Sequence, residues 1–460
     1  MRNSKLLLLA GPLVISFWFR AAFAWADAAF ASMLHAADGS PIGDASIAAI
    51  GLTLPYEFLQ VALWVGTSNG LTARLAAAMG AGQSARVEQL VRAARRITVV
   101  LIGFFVALAV AMWFLIPSLA LDPVVRDQFR IYATVLVAGG ALTSFWSILP
   151  DSLVKAHHDT RTTMWAGILS STLNVALNAF FVFVMHWGIF GIALSTVLGR
   201  LSGLIYATRR AAQHERDRRL RPDQAKPGLD PAPVRSILKI AVPSGATYVL
   251  MAVESQFIVV ILAGASAATS LLAAWAVYER AVRFMAMPAI ATSVAMLPLA
   301  ARAHGAGDYS SIRRELGIGV RASFLYVLLL VAPLTWLIGS RVAAALSDAP
   351  QTLAFASEAM NWLPLTVAAI APFMLARSAW DGMERPLRGL AAAIVRSLVL
   401  QVPAVWLGLR HHAALGLSPM LGVALASLAA TMLASVSFWI WSSASLRRLT
   451  APTQTPAELA

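Results

Sequence analysis

Apolar residues run along this chain in long stretches, and most polar ones gather in the gaps between them. Twelve stretches are long enough to cross a membrane as helices of roughly 20 residues: 6–34, 46–79, 97–121, 131–154, 163–186, 188–208, 237–264, 269–303, 318–338, 353–380, 387–409 and 415–443. Several are longer than that, which predicts tilted or protruding helices. From Arg209 to Lys239 the chain is dense in charge and holds Pro222, Pro227, Pro231 and Pro233, the pattern of a solvated linker between two membrane-embedded halves. The expected organisation is an amino-terminal six-helix lobe over 1–208, a cytoplasmic linker over 209–236, and a carboxy-terminal six-helix lobe with its tail over 237–460.

Composition narrows the class. The chain has 59% hydrophobic and 13% charged residues, the latter about half the fraction of soluble domains, so an all-α integral membrane protein is expected. Its net charge of +14 does not imply a nucleic-acid partner, because the basic residues cluster between apolar runs, where they orient helices. With the amino terminus inside, roughly 27 Lys and Arg fall on inner segments and tails against about four outside, Arg126, Arg130, Arg341 and Arg410, in the sense of the positive-inside rule. Both termini are therefore expected in the cytoplasm, with the chain in the cell (inner) membrane. Leu6 to Phe19 has the form of a signal peptide, but Arg20 interrupts the run before any cleavage site, and an uncleaved first helix is expected. There is no cysteine, hence no disulfide, thiol nucleophile or thiolate metal site.

The two halves repeat. Span two ends Leu75-Ala-Ala-Ala-Met-Gly-Ala-Gly82 and span eight ends Ala300-Ala-Arg-Ala-His-Gly-Ala-Gly307, each followed by a basic cluster. Glycine closes a helix well because it accepts a left-handed conformation, so both copies are predicted to end alike. Ala10-Gly-Pro12 is loosely matched by Ala241-Val-Pro243. Six spans per copy make the repeats parallel, related by an axis along the membrane normal, with the substrate expected between the halves.

Ala48-Ala-Ile-Gly-Leu through Gly82, Leu173-Asn-Val-Ala-Leu-Asn178 running into Gly188-Ile-Phe-Gly-Ile-Ala-Leu-Ser-Thr196, and Leu272-Ala-Ala-Trp through Met287-Pro288 to Asp308 resemble the multidrug and toxic-compound extrusion (MATE) transporters. The resemblance covers nearly the whole chain. It implies a V-shaped pair of six-helix lobes that exports organic, often cationic compounds in exchange for sodium ions or protons.

Ionisable residues inside a span are costly and mark functional candidates. The candidates are Arg20, Asp27, Glu57, Glu254, Glu279, Arg280 and Arg283. Counting about 1.5 Å per residue from the outer ends places Asp27, Asn178 and Thr196 each about 12 Å deep, with Asn174 one turn below Asn178. Four oxygen-bearing side chains from three helices then lie near one level, a set suited to a small hard cation, with a sodium ion at Asp27 as one occupant, or to a proton. The resemblance points to the same four: Asp27 falls on a first-helix aspartate, Asn174 and Asn178 on a fifth-helix pair, and Thr196 on a sixth-helix threonine. Single Asn and Thr residues in membrane helices otherwise serve interhelical bonding.

Glu254 and Glu279 are expected at about 15 Å depth. Glu254 resembles the family's acidic seventh-helix residue, displaced by one turn, whereas Ile370 stands where one branch of the family carries an aspartate in span ten. Glu279 and Arg283, four apart, either neutralise each other, leaving Arg280 available to Glu254, or serve with Glu254 in cargo binding or coupling. Arg20 shares a face with Asp27 two turns away. Trp18, Trp25, Trp64, Trp275 and Tyr278 are candidates to line a cavity and attract cationic cargo, against the commoner interfacial or packing role.

Other signals carry no chemistry. Gly66-Thr-Ser68-Asn-Gly70 matches a hydrolase nucleophile pattern but lies inside a membrane helix, where small residues serve packing. His157-His158-Asp159 and His411-His412 lack the i, i+4 spacing of helical metal ligands. No phosphate-binding loop occurs, and no nucleophile and base pair suggests an enzyme. The expectation is a secondary antiporter without a cofactor, working as a monomer among membrane lipids on small organic cargo. The alternative is a flippase for a lipid-linked saccharide precursor, which calls for a strongly basic cavity. The buried candidates are instead mixed in sign, three Arg against four acids.

Overall fold

A backbone in hydrocarbon must satisfy its polar groups internally, so the apolar runs fold as helices. The computed structural model describes residues 4–23, 26–36, 39–220, 228–346 and 349–450. Its helices are α1 (Lys5–Phe23), α2 (Ala26–Ala31), α3 (Gly43–Gly80), α4 (Ser84–Leu115), α5 (Pro123–Gly140), α6 (Trp146–Ala156), α7 (Thr160–Ala179), α8 (Gly188–Arg219), α9 (Pro233–Ala263), α10 (Ala268–Met285), α11 (Met287–Gly305), α12 (Tyr309–Tyr326), α13 (Ala332–Leu346), α14 (Pro350–Met360), α15 (Leu363–Gly382), α16 (Pro386–Ile394), α17 (Val402–His411) and α18 (Pro419–Thr450). Short π-helical segments join α5 to α6, α12 to α13 and α16 to α17. Among the described residues, eleven helical stretches are long and apolar enough to cross a membrane, and twelve if α10 and α11, bent by 47° at their junction, form one crossing. Strand geometry among these residues is confined to one bridge, His35 to Pro41.

The sequence expectations meet the structure unevenly. Gly82 (φ 69°) and Gly307 (φ 74°) both take the left-handed conformation expected at the matched helix ends. The stretch 353–380, read as one span, divides between Met360 and Leu363, where Pro364 sits in the first turn of α15 and supports a new helix start. The polar stretch after residue 208 begins as helix, because α8 continues to Arg219. Glu215 on that extension accepts from His157 (2.9 Å) and Arg218 (2.8 Å), and His214 meets Asp159 at 2.8 Å, which fixes the extension to the α6–α7 turn. Burial pushes the Asp159 carboxyl up, but donation by Thr162 and His214 outweighs it and holds the group below its usual value. Trp25, the linker residues Arg221 to Pro227 and the tail 451–460 lie outside the described residues.

Two compact units result, one comprising Gly11–Val249 and the other Met1–Ala10 with Leu250–Ala460. They differ from the lobes expected at 1–208 and 237–460 by exchanging the start of α1 and the first half of α9. The contacts explain both exchanges. Glu315 of α12 accepts Ser4 Oγ (2.5 Å) and the Leu6 N–H (3.2 Å), capping the start of α1. In the other unit, a Cβ at Gly66 would lie 2.5 Å from the Ala241 carbonyl oxygen, and one at Gly70 would lie 2.7 Å from that of Ile237, so α3 and the first half of α9 touch backbone to backbone. The hydrolase-like Gly66 to Gly70 pattern is thus a helix-packing surface.

Candidate functional site

Asp27 lies in the first turn of α2, in the unit Gly11–Val249. Its Oδ1 accepts Asn178 Nδ2 at 2.7 Å and Asn174 Nδ2 at 3.3 Å, and its Oδ2 accepts Thr196 Oγ1 at 2.8 Å. Asn174 and Asn178, one turn apart on α7, therefore meet one carboxylate oxygen, while α8 supplies the other contact. Asn174 also donates to Thr196 Oγ1 at 2.9 Å, closing a ring of three side chains. The structure brings together all four residues that depth counting placed at one level.

Sequence reasoning missed Ser195. Its hydroxyl, buried like Asn178, donates to Asn178 Oδ1 or back to the Ile192 carbonyl, and its oxygen accepts weakly from Asn174 at 3.4 Å. It fixes the Asn178 amide with its nitrogen toward Asp27. Its position beside Thr196 was the available signal. Among the described residues, every hydrogen bond to Asp27 comes from a neutral donor, and no basic group lies within ion-pair distance of it. The neighbours hold this carboxylate in place without neutralising it.

Glu57 of α3 has a counter-ion that the sequence list lacked. Arg200, one turn beyond Thr196 on α8, places Nη2 3.4 Å from Glu57 Oε1, with both side chains partly exposed. A second omission is Asp151 and Lys155, paired at 2.6 Å on α6 and buried, with Ser68 donating to Asp151 at 3.1 Å. Trp64 donates to Ser147 at 3.1 Å and lies 5.6 Å from the Lys155 ammonium. The Arg20 guanidinium packs against α7 at Gly167, where a Cβ would come within 2.9 Å of its Nε.

The other unit overturns several expectations. Glu254, 8% exposed, pairs with Arg396 at 2.8 Å and accepts from Ser397 Oγ at 2.5 Å, so its counter-ion comes from the segment joining α16 to α17 and not from Arg280. Glu279 and Arg283 do pair, at 2.5 Å, but their side chains are 32% and 57% exposed and Arg280 is also exposed, so they form no buried network. Trp275 and Tyr278 are core residues: both are buried in the apolar cluster of that unit, and Tyr278 Oη is 2.8 Å from Thr366 Oγ1. Burial leaves them little surface for cargo. Among the described residues no group of His, Asp or Glu is arranged to hold a metal ion.

Repeated helices long and apolar enough to cross a membrane define the class, a multi-pass membrane protein. The MatE family model matches residues 21–180 and again 243–407, one match per repeat, and the chain belongs to the MATE family of multidrug efflux transporters. It is 21% identical over 298 residues to the Bacillus subtilis protein named "Probable multidrug resistance protein YoeA", covering 62% of this chain and 63% of that one. It is 23% identical over 423 residues to the Shewanella oneidensis protein named "FAD transporter", covering 88% and 87%. The fold matches an outward-facing multidrug resistance MATE family transporter of the MOP superfamily with a TM-score of 0.85 and 20% identity, over 97% of this chain and 96% of that one.

Proposed function

We propose that this chain is a secondary active antiporter that exports small organic, cationic or drug-like compounds in exchange for protons or sodium ions by alternating access, with Asp27 as the coupling residue. The observation that carries this reading is the Asp27 carboxylate, bonded by Asn174, Asn178 and Thr196 but given no counter-ion among the described residues. An external cation supplies the missing charge. A proton fits the arrangement as it stands. A sodium ion requires the two Asn amides, which now donate, to turn their oxygens inward, giving an oxygen-rich set with the Thr196 hydroxyl. Loading then favours one of two conformations and release favours the other, which couples cargo movement to the ion gradient.

Glu57, Glu254 and Glu279 each face an arginine. These arginines are thereby matched, whereas a flippase for the pyrophosphate of a lipid-linked saccharide needs unmatched basic groups, and the carboxylate left without a counter-ion among the described residues, Asp27, favours cationic cargo. The protein works as a monomer in the cell membrane with both ends cytoplasmic, performs no covalent chemistry and needs no cofactor. The test is efflux of ethidium from proteoliposomes under a sodium or a proton gradient imposed one at a time, with FAD as a second cargo. Ethidium efflux driven by one gradient and absent without it is expected. Efflux indifferent to both gradients refutes coupling, and movement of FAD but not ethidium refutes the cationic cargo.

A further inference from the structure

We infer that Arg200 is a tethered cation resident on Glu57, and that it limits this unit to one external coupling ion per cycle. The inference rests on the reading of Asp27 as the coupling residue and goes beyond it. α8 presents Thr196 and Arg200 one turn apart, to Asp27 of α2 and Glu57 of α3. The charges acting on Glu57 are those of Arg200 and Asp27, and the other titratable groups facing the set are Tyr132 of α5, buried, and Arg20 of α1, whose own charged neighbours are Asp151 and Arg200. Among the described residues, Arg200 pairs with Glu57 and no arginine pairs with Asp27. Arginine keeps its charge at any relevant pH, so the carboxylate it occupies is unavailable to a proton or a sodium ion. One negative charge, that of Asp27, remains to be filled from outside.

The Glu57 to Arg200 contact has the form of an occupied site and not of a packing salt bridge. It is a single contact of 3.4 Å between side chains 25% and 34% exposed, whereas the Glu254 to Arg396 pair lies at 2.8 Å with 11% and 16% exposure. Solvent that reaches the pair also reaches Glu57 once the guanidinium leaves. The fold makes room for that guanidinium at Gly140 of α5, where a Cβ would lie 3.0 Å from Arg200 Nη1 and 3.0 Å from Gln60 Oε1. Gln60 is held by donation to the Val137 carbonyl at 2.8 Å. Arg200 and the glycine opposite it keep a second cation site closed.

The experiment counts protonatable carboxyls in the purified full-length protein by infrared difference spectroscopy between acidic and alkaline pH, reading the carboxylic-acid C=O stretch of buried groups. The wild type is expected to give, from the Asp27–Glu57 set, one such band, abolished by Asp27→Asn and unaffected by Glu57→Gln. Arg200→Gln is expected to double the band, and Arg200→Gln with Glu57→Gln to return it to one. Arg200→Lys, which keeps the charge, should leave one. Sodium added at fixed pH should diminish the same bands wherever it competes with the proton. A single band in folded Arg200→Gln, or a wild-type band lost in Glu57→Gln, overturns the inference. Should Arg200→Gln fail to fold, the Glu57→Gln spectrum alone still decides it. A wild-type band that survives Asp27→Asn refutes the Asp27 reading, a result separate from the Arg200 outcomes.

Discussion

Replacing Glu254 by glutamine strands Arg396. The two are joined at 2.8 Å with side chains only 11% and 16% exposed, and Ser397 donates to the same carboxylate oxygen. Removing one member of a buried pair costs about 3–5 kcal/mol, mostly through the charge left behind. The substituted amide would still accept one hydrogen bond, so the lower end, about 3 kcal/mol, is expected for Glu254→Gln and for Arg396→Gln alike. The double variant leaves no bare charge and should lose about 3 kcal/mol instead of the additive ~6, a coupling of about 3 kcal/mol. Thermal unfolding in mild detergent, followed by tryptophan fluorescence, reads this at about 1 °C per kcal/mol for a chain of 460 residues. Arg280→Gln, on an exposed position of α10, is the comparison and should cost less than Arg396→Gln. Additive losses in the double variant, or an Arg280→Gln loss equal to that of Arg396→Gln, would refute the pairing.

Three further outcomes follow from the geometry. Gly66→Val should abolish monodisperse folded protein on size-exclusion chromatography, because its Cβ would meet the Ala241 carbonyl oxygen at 2.5 Å and Gly245 backbone at 2.9 Å, whereas Gly103→Ala, with nothing within 4 Å, should not reduce it. Asp308 caps α12 by accepting from Ser310 Oγ and the Ser311 N–H, which hold its carboxyl down to about 2. Its folded value lies below the unfolded one, so the cap contributes fully above about pH 4 and is lost as pH falls through about 2; Asp308→Ala should remove that acid-range dependence from thermal unfolding. With both ends cytoplasmic, an impermeant thiol reagent applied to intact cells should label a cysteine introduced as Leu415→Cys and spare Leu220→Cys, both exposed positions in a chain without its own cysteine. The reverse pattern inverts the topology.

How much the sequence discloses depends on whether the physics is local. Most helix spans and the closing glycines Gly82 and Gly307 are local properties of hydropathy and backbone conformation and lie where the sequence places them, whereas the breaks within 269–303 and 353–380 do not show in hydropathy. The Asp27 cluster was legible because a rise of about 1.5 Å per residue fixes depth without knowledge of packing. Lateral partners were not. Glu254 meets Arg396 from 142 positions away, and nothing in either neighbourhood distinguishes Arg396 from Arg280 as its partner. Arg200 and Arg396 are single charges diluted in Leu- and Val-rich runs, so a window average conceals them. Trp275 and Tyr278 show that an aromatic in a membrane helix carries no sign of whether it faces a cavity or a core.

The measurement that tests the central claim most directly is gradient-driven export by Asp27→Asn protein, reconstituted at wild-type density and assayed under sodium and proton gradients in turn. Asparagine keeps the shape and removes the exchangeable charge, so the protein should fold and bind cargo at wild-type affinity yet lose export under both gradients, with Asn174→Ala and Asn178→Ala losing part of it. Wild-type export by Asp27→Asn under either gradient contradicts the account and moves the coupling role away from Asp27.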